Sequence, residues 1–211
     1  LAILAGISLS SCNDSFLEKT PVTDLTENNA FNSYDNFKAF MWPCYEMFTN
    51  NTIRTSLQGF GQDGQYKGDM AAGYFQQKYE SGYNEFAYQT VASVASGNGW
   101  DFKSFIRRVN IMLSHIDNSS MTEAQKDHWR AVGYFFHSFW YMELIDRFGD
   151  VPWVDQVLQE DSPEAYGPRV DRKTVADKVL ERLQWAEQNI GNFTSQDGDN
   201  TINQDCVRAV I

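Results

Sequence analysis

Residues 122–152, TEAQKDHWRAVGYFFHSFWYMELIDRFGDVP, are the stretch on which the architecture turns. Thr122 and Gln125 have the spacing of a capping box, in which each side chain satisfies an orphan amide of the other's backbone at a helix start. From there Trp129, Val132, Phe136, Phe139, Trp140, Leu144 and Phe148 recur at the three- and four-residue steps of one helical face. Gly149 supplies a stop, and Pro152 just beyond cannot resume the helix. The run therefore predicts a long amphipathic helix that needs partners on its apolar side.

Such partners are legible on both flanks. Upstream, Phe105, Val109, Met112 and Ile116 repeat at steps of four, three and four, widened by Phe102, Ile106 and Leu113, until Asn118-Ser119-Ser120 interrupts them. Downstream, a helix opening near Asp171 carries Val175, Val179, Leu183, Ala186 and Ile190 on one face and stops at Gly191. Residues 191–200, GNFTSQDGDN, read as a polar loop, and Thr201 with Gln204 repeats the capping-box spacing ahead of another helix at 205–211. Nearer the start, Ser33 is placed as the cap of a helix running through Phe37, Phe40 and Met41 towards Phe48, with Pro43 bending or ending its first part. The fold class is all-α: antiparallel helix pairs of the tetratricopeptide kind stacked as an α-solenoid, without a clean 34-residue period.

One segment does not fit this rhythm. Residues 59–99 hold eight of the 14 glycines together with Phe60, Tyr66, Tyr74, Phe75, Tyr79, Tyr83, Phe86 and Tyr88, and no helical period is sustained. A long irregular insertion rich in Gly and aromatics is expected there, of the sort that carries function.

Composition sets the outer bounds. The 211 residues are 42% hydrophobic and 15% aromatic, enough for a real core, and 28 acidic against 17 basic side chains leave a net charge of −11. Such a field repels a phosphate backbone, so nucleic acid is excluded as a partner. Three cysteines with no Cys-x-x-Cys offer neither a disulfide framework nor a structural zinc site, and Cys44 and Cys206, 162 positions apart, read as buried free thiols rather than a pair. No cofactor is called for.

The N-terminus has its own signature. Residues 1–9, LAILAGISL, are uncharged and apolar but far short of the ~20 residues that span a bilayer. They fit the apolar core of a secretory signal. Leu9-Ser10-Ser11-Cys12 then follows the large-small-small-Cys order of a bacterial lipobox, which would make Cys12 the lipidated first residue of the exported protein, held at a membrane by two acyl chains. Three regions result: 1–11 a partial lipoprotein signal, 12–32 the lipidated cysteine and a tether, and 33–211 a helical domain. Both ends are expected to be cut, since residue 1 falls inside an apolar run and residue 211 inside an opening helix.

Other motifs have bland readings that win. Gly59-Phe60-Gly61-Gln62-Asp63-Gly64 matches Gly-x-Gly-x-x-Gly, but no hydrophobic strand precedes it and no helix follows. Glu143 and Asp146 share a helical face, as solvated positions rather than a hydrolytic carboxylate pair. His115, His128 and His137 lack metal spacing, and Asp197-Gly198-Asp199-Asn200 lacks the distal Glu of a calcium loop. No nucleophile, base and orienting acid can be assembled with local support.

Several stretches, taken together, resemble the SusD/RagB family: Cys12 followed by NDSFLEKTPVTDLT at 13–26, NGWDFKSFIRRVN at 98–110, Trp129-Arg130-Ala131 leading into IDRFGDVP at 145–152, and RVDRKTVADKV at 169–179. One departure is His128-Trp129 ahead of Arg130, where the family usually carries Glu-Ala. The resemblance implies an outer-membrane, lipid-anchored, outward-facing glycan-binding protein without enzymatic activity. Its partners would be an oligosaccharide and a SusC-like TonB-dependent transporter over which it closes. A less regular C-terminal portion of family members lies beyond this sequence. Sugar recognition asks for flat apolar faces to stack on pyranose rings and for carboxylates or amides to meet hydroxyls. The candidates are Asp63, Tyr66, Asp69, Tyr74, Asn98 and Trp100. Capture of peptides, a purely scaffolding surface role and, further off, a surface glycosidase are the alternatives.

Overall fold

The computed structural model of the chain describes residues 30–45, 48, 103–198 and 201–211. Its helices are α1 (Tyr34–Tyr45), α2 (Lys103–His115), α3 (Glu123–Phe148), α4 (Arg172–Asn189), the single turn α5 (Thr194–Asp197) and α6 (Gln204–Val210). No strand occurs among these residues, only an antiparallel bridge of Val151 with Val170. None of the described helices is long and apolar enough to cross a membrane.

The caps act as the sequence predicts. The Gln125 amide donates to Thr122 Oγ1 at 3.3 Å, and the Thr122 amide donates back to Gln125 Oε1 at 3.0 Å. Gly149 takes φ +72° and donates to Ile145 O, which ends α3 in a conformation that a side chain would strain. Asp171 Oδ1 accepts from the Lys173 and Thr174 amides at 2.9 and 3.2 Å and so opens α4.

Each neighbouring pair of helices is antiparallel, and the contacts show it by running in opposite numerical order. Between α2 and α3, Phe105 stacks on Trp140 while Met112 and Leu113 press against Gly133. Between α3 and α4, His128 meets Ile190, Ser138 meets Val179, and the Val151–Val170 bridge closes the far end. In front, Arg108 covers Phe40, and Phe31, just ahead of α1, stacks on His115. The apolar faces meet in one core containing Phe37, Met41, Val109, Met112, Trp129, Phe136, Leu144 and Leu183. This is the all-α pattern of antiparallel pairs expected from the periodicity.

The described part of α1 has Pro43 two residues before its end at Tyr45, where a missing amide costs little. Two local expectations are corrected. α6 is capped by Asn203, whose Oδ1 accepts from the Cys206 amide at 3.0 Å; Thr201 instead donates to Gly198 O, and Gln204 reaches across to Glu187 O. The polar run at 191–200 contains a helical turn, α5, with an inward-facing acid. The Gly/aromatic-rich insertion at 59–99 lies outside the described residues.

Candidate functional site

The connection that follows α4 folds around a cavity. Gly191 takes φ +64° and swings the chain away from the helix axis. Asn192 Oδ1 then accepts from the Thr194 amide at 3.1 Å and starts the turn α5, which Gly198 ends at φ +82°. Asn203 opens α6 back towards α4. The connection thereby encloses a cavity of about 390 Å³, with His128, Ile190 and Ile202 among its lining groups and Gln188, Phe193 and Asp205 on its walls.

A buried polar cluster stands behind one wall. The Asp197 side chain is 3% exposed, and its Oδ2 accepts from the Tyr34 hydroxyl at 2.5 Å. Lys38 Nζ lies 3.3 Å from Oδ1 and His128 Nε2 lies 3.4 Å from Oδ2. His128 Nδ1 is 2.5 Å from Ile190 O, which can only accept, so Nδ1 carries the proton. Burial holds His128 below the ordinary histidine pKa, against opposing pulls from Ile190 O and Asp197. Burial, and then the hydrogen bond to Asp197, push the Tyr34 hydroxyl well above its usual value, so it donates and does not ionise. Phe193 stacks on Tyr34 and packs against the His128 ring, shielding the cluster from water. The cluster thus joins α1, α3 and α5.

A second set of polar groups supports the backbone beyond α3. Past Gly149 the chain runs extended, and its backbone polar groups are met by side chains of α2 and α3, with Arg182 of α4 holding His137 and Asp155. Tyr141 donates to Pro152 O at 3.0 Å and accepts from the Val154 amide at 2.6 Å. Asn110 Nδ2 reaches Val154 O and Gln156 O, and Arg107 reaches Leu158 O. His137 Nε2 donates to Val154 O at 2.9 Å, which leaves Nδ1 to accept from Arg182 Nη1 at 2.9 Å. Burial, then the Arg182 charge, hold His137 down to about 3. Arg182 is sandwiched at 4.9 Å from both the Tyr134 and Trp153 rings. Each member of this set has a structural partner, although Asn110 Oδ1 is buried without a hydrogen bond among the described residues.

Of the sites predicted from sequence, Cys12, Asp63, Tyr66, Asp69, Tyr74, Asn98 and Trp100 lie outside the described residues. Asp146 is exposed on α3, as a solvated position should be. His115 stacks on Phe31, while His128 and His137 are buried structural groups. Among the described residues no three His, Cys, Asp or Glu side chains converge on a metal position. Cys44 and Cys206 are free thiols, as read from their separation. Sequence reasoning missed Asp197 by taking it for part of a polar turn. The one signal was Phe193, a lone large apolar residue in GNFTSQDGDN, which gives that loop an inward side.

The comparisons with known proteins agree on one group. The profile of the SusD-like family, described as "Starch-binding associating with outer membrane", matches residues 15–198. A SusD-like protein from Bacteroides fragilis superposes with a TM-score of 0.63 at 19% identity, over 91% of this chain and 36% of its own. A SusD-like carbohydrate-binding protein from Bacteroides vulgatus gives 0.62 at 17% identity, over 84% and 40%. A laminarin-binding SusD-like protein gives 0.56 at 18% identity, over 85% and 39%. At these identities the likeness shows the fold, and the chain spans 36–40% of the length of these three structures. No curated protein matches the sequence.

Proposed function

The chain belongs to the SusD-like family, and from that membership we propose that it is part of a cell-surface lipoprotein that captures oligosaccharides and passes them to a SusC-like TonB-dependent transporter. The observation that carries this reading is the family match over residues 15–198. The family's association with the outer membrane agrees with the lipobox ending at Cys12. In this reading Cys12 takes the lipid, residues 12–32 form the tether, and the helical domain from residue 33 is the frame on which ligand-contacting loops are mounted. Asp63, Tyr66, Asp69, Tyr74 and Asn98 of the 59–99 insertion, with Trp100 just after it, are the proposed glycan contacts.

Binding rather than hydrolysis is the proposed chemistry, in keeping with the family's description as starch-binding. Affinity per site is expected to be modest, since trading water hydrogen bonds for protein ones yields only ~0.5–1.5 kcal/mol each. Full-length protein run in native gels cast with starch, laminarin and other polysaccharides should be retarded by at least one of them without releasing reducing ends. No retardation by any polysaccharide would overturn the reading. Replacing Cys12 by Ala should move the protein out of the outer-membrane fraction.

A further inference from the structure

We propose that residues 192–197, between Gly191 and Gly198, form a proton-sensitive strap: uptake of a proton by His128 releases the strap as a unit and frees the start of α1 with it. The inference concerns the helical frame itself and holds whatever ligand the protein captures.

The strap is built to move separately. Gly191 and Gly198 take φ +64° and +82°, so the chain bends at both ends of the segment where a side chain would be strained. Between them α5 is a single turn of four residues, too short to persist alone, since helix nucleation fixes several residues for its first hydrogen bond. Two side chains hold it down. Phe193 lies against the rings of Tyr34 and His128, with centroids 5.4 and 4.4 Å apart, and Asp197 meets Tyr34, Lys38 and His128. These contacts converge on three residues, Tyr34 and Lys38 of α1 and His128 of α3. Letting go of one end of the set lets go of the other.

His128 makes the hold depend on pH. With Nδ1 donating to Ile190 O, an added proton would sit on Nε2, 3.4 Å from a carboxylate whose charge Lys38 already balances at 3.3 Å. The His128 and Asp197 side chains are 4% and 3% exposed, so the surplus positive charge would stand largely apart from water. No other group facing the ring offsets it. Tyr34 of α1 presents a neutral hydroxyl, and the carboxylates of Glu187 on α4 and Asp205 on α6, across the cavity, are engaged by Arg208. Burial accordingly holds His128 below its ordinary value in the closed form, and lifting Phe193 away returns the ring to water. The open form therefore takes the proton first. Opening grows easier as pH falls through ~6.5, by up to about 10-fold between pH 7.5 and 5.5.

The test is hydrogen exchange of the full-length protein at pH 7.5 and 5.5, corrected for intrinsic rates and read by mass spectrometry. One window is 191–198, where the Asp197 and Gly198 amides donate to Phe193 O and Thr194 O; the other is the start of α1, where the Phe37 amide donates to Ser33 O. Both should be less protected than the middle of α3 at each pH, and both should lose protection roughly 3- to 10-fold on acidification. In His128→Gln that response should vanish from the strap, whereas His137→Gln should leave it in place. His128→Phe, which keeps a ring against Phe193 and Tyr34, is the second variant should the first fail to fold. Strap protection that is flat with pH in the unaltered protein, protection equal to that of α3 at both pH values, or a response that survives in a folded His128 variant would each overturn the proposal. The first two are read on the unaltered protein alone.

Discussion

His137 shows how a titratable group becomes part of the backbone's support. Its ring nitrogens are both used, one giving a proton to Val154 O and one receiving from Arg182, so the folded state requires the neutral form. The folded pKa is about 3, below the ~6.5 of an unfolded histidine. A depressed pKa means that the unfolded chain takes up the proton first as pH falls. The stabilisation is therefore complete above pH ~6.5 and drains away between there and about 3, at up to about 1.4 kcal/mol per pH unit. His128, also held low by burial, adds to the same slope. Thermal melts between pH 7.5 and 5 should show stability falling on acidification. Replacing His137 by Gln should flatten that slope while lowering stability at pH 7.5, because a buried donor or acceptor loses its partner. An unchanged slope would contradict this assignment.

At the level of the helices, the α2–α3 pair is set by a residue without a side chain. A Cβ built on Gly133 would stand 2.6 Å from Met112 Cε and 2.8 Å from Leu113 Cδ2, so the tips of those two side chains fill the space over the glycine. Gly133→Val should lower stability by about 1–3 kcal/mol through overpacking, read as a melting temperature several degrees lower. A neutral outcome would mean that Met112 and Leu113 yield freely. The helices themselves were legible because period, cap and stop agreed on α3 and α4: Thr122, Gln125, Gly149 and Asp171 do what their spacing suggests. The start of α6 was misplaced because Thr201-x-x-Gln204 has the same spacing as a true box. What chose Asn203 was Gln204 turning to Glu187 O, a tertiary partner 17 positions away. Likewise Trp129 and Trp140 were expected on one face, but nothing local says that α3 is enclosed from several sides, with Trp129, Phe135, Phe136 and Tyr141 all buried.

On the scale of the whole molecule, the ends of the described fold are tied together. Tyr34, the first residue of α1, bonds Asp197 of α5, and Tyr45, the last residue of α1, accepts from the Ile202 amide at 3.3 Å. Tyr34→Phe should leave the Asp197 carboxylate short of a donor and loosen α1 ahead of the rest. Hydrogen exchange would then quicken selectively over residues 34–45, with α3 and α4 little changed. Uniform quickening would instead mean that α1 opens only with global unfolding. The polar cluster behind the cavity was invisible in the sequence for the same reason, since Tyr34, Lys38, His128 and Asp197 are polar residues of three separate segments. No periodicity or spacing rule joins them. The aromatic and acidic candidates between 63 and 100 were chosen on composition alone and stay tied to the family reading.

The Tyr34–Asp197 bond also sets a clock for synthesis. Its partners are separated by 163 positions. At ~5–20 residues per second, roughly 8–30 s pass between the appearance of α1 and that of the acid that secures it. During that interval Phe37, Met41 and Cys44, all fully buried at the end, can meet α2 and α3 but lack the turn that fastens the start of their helix. The earliest of the described helices in the chain is thus among the last of them to be fastened.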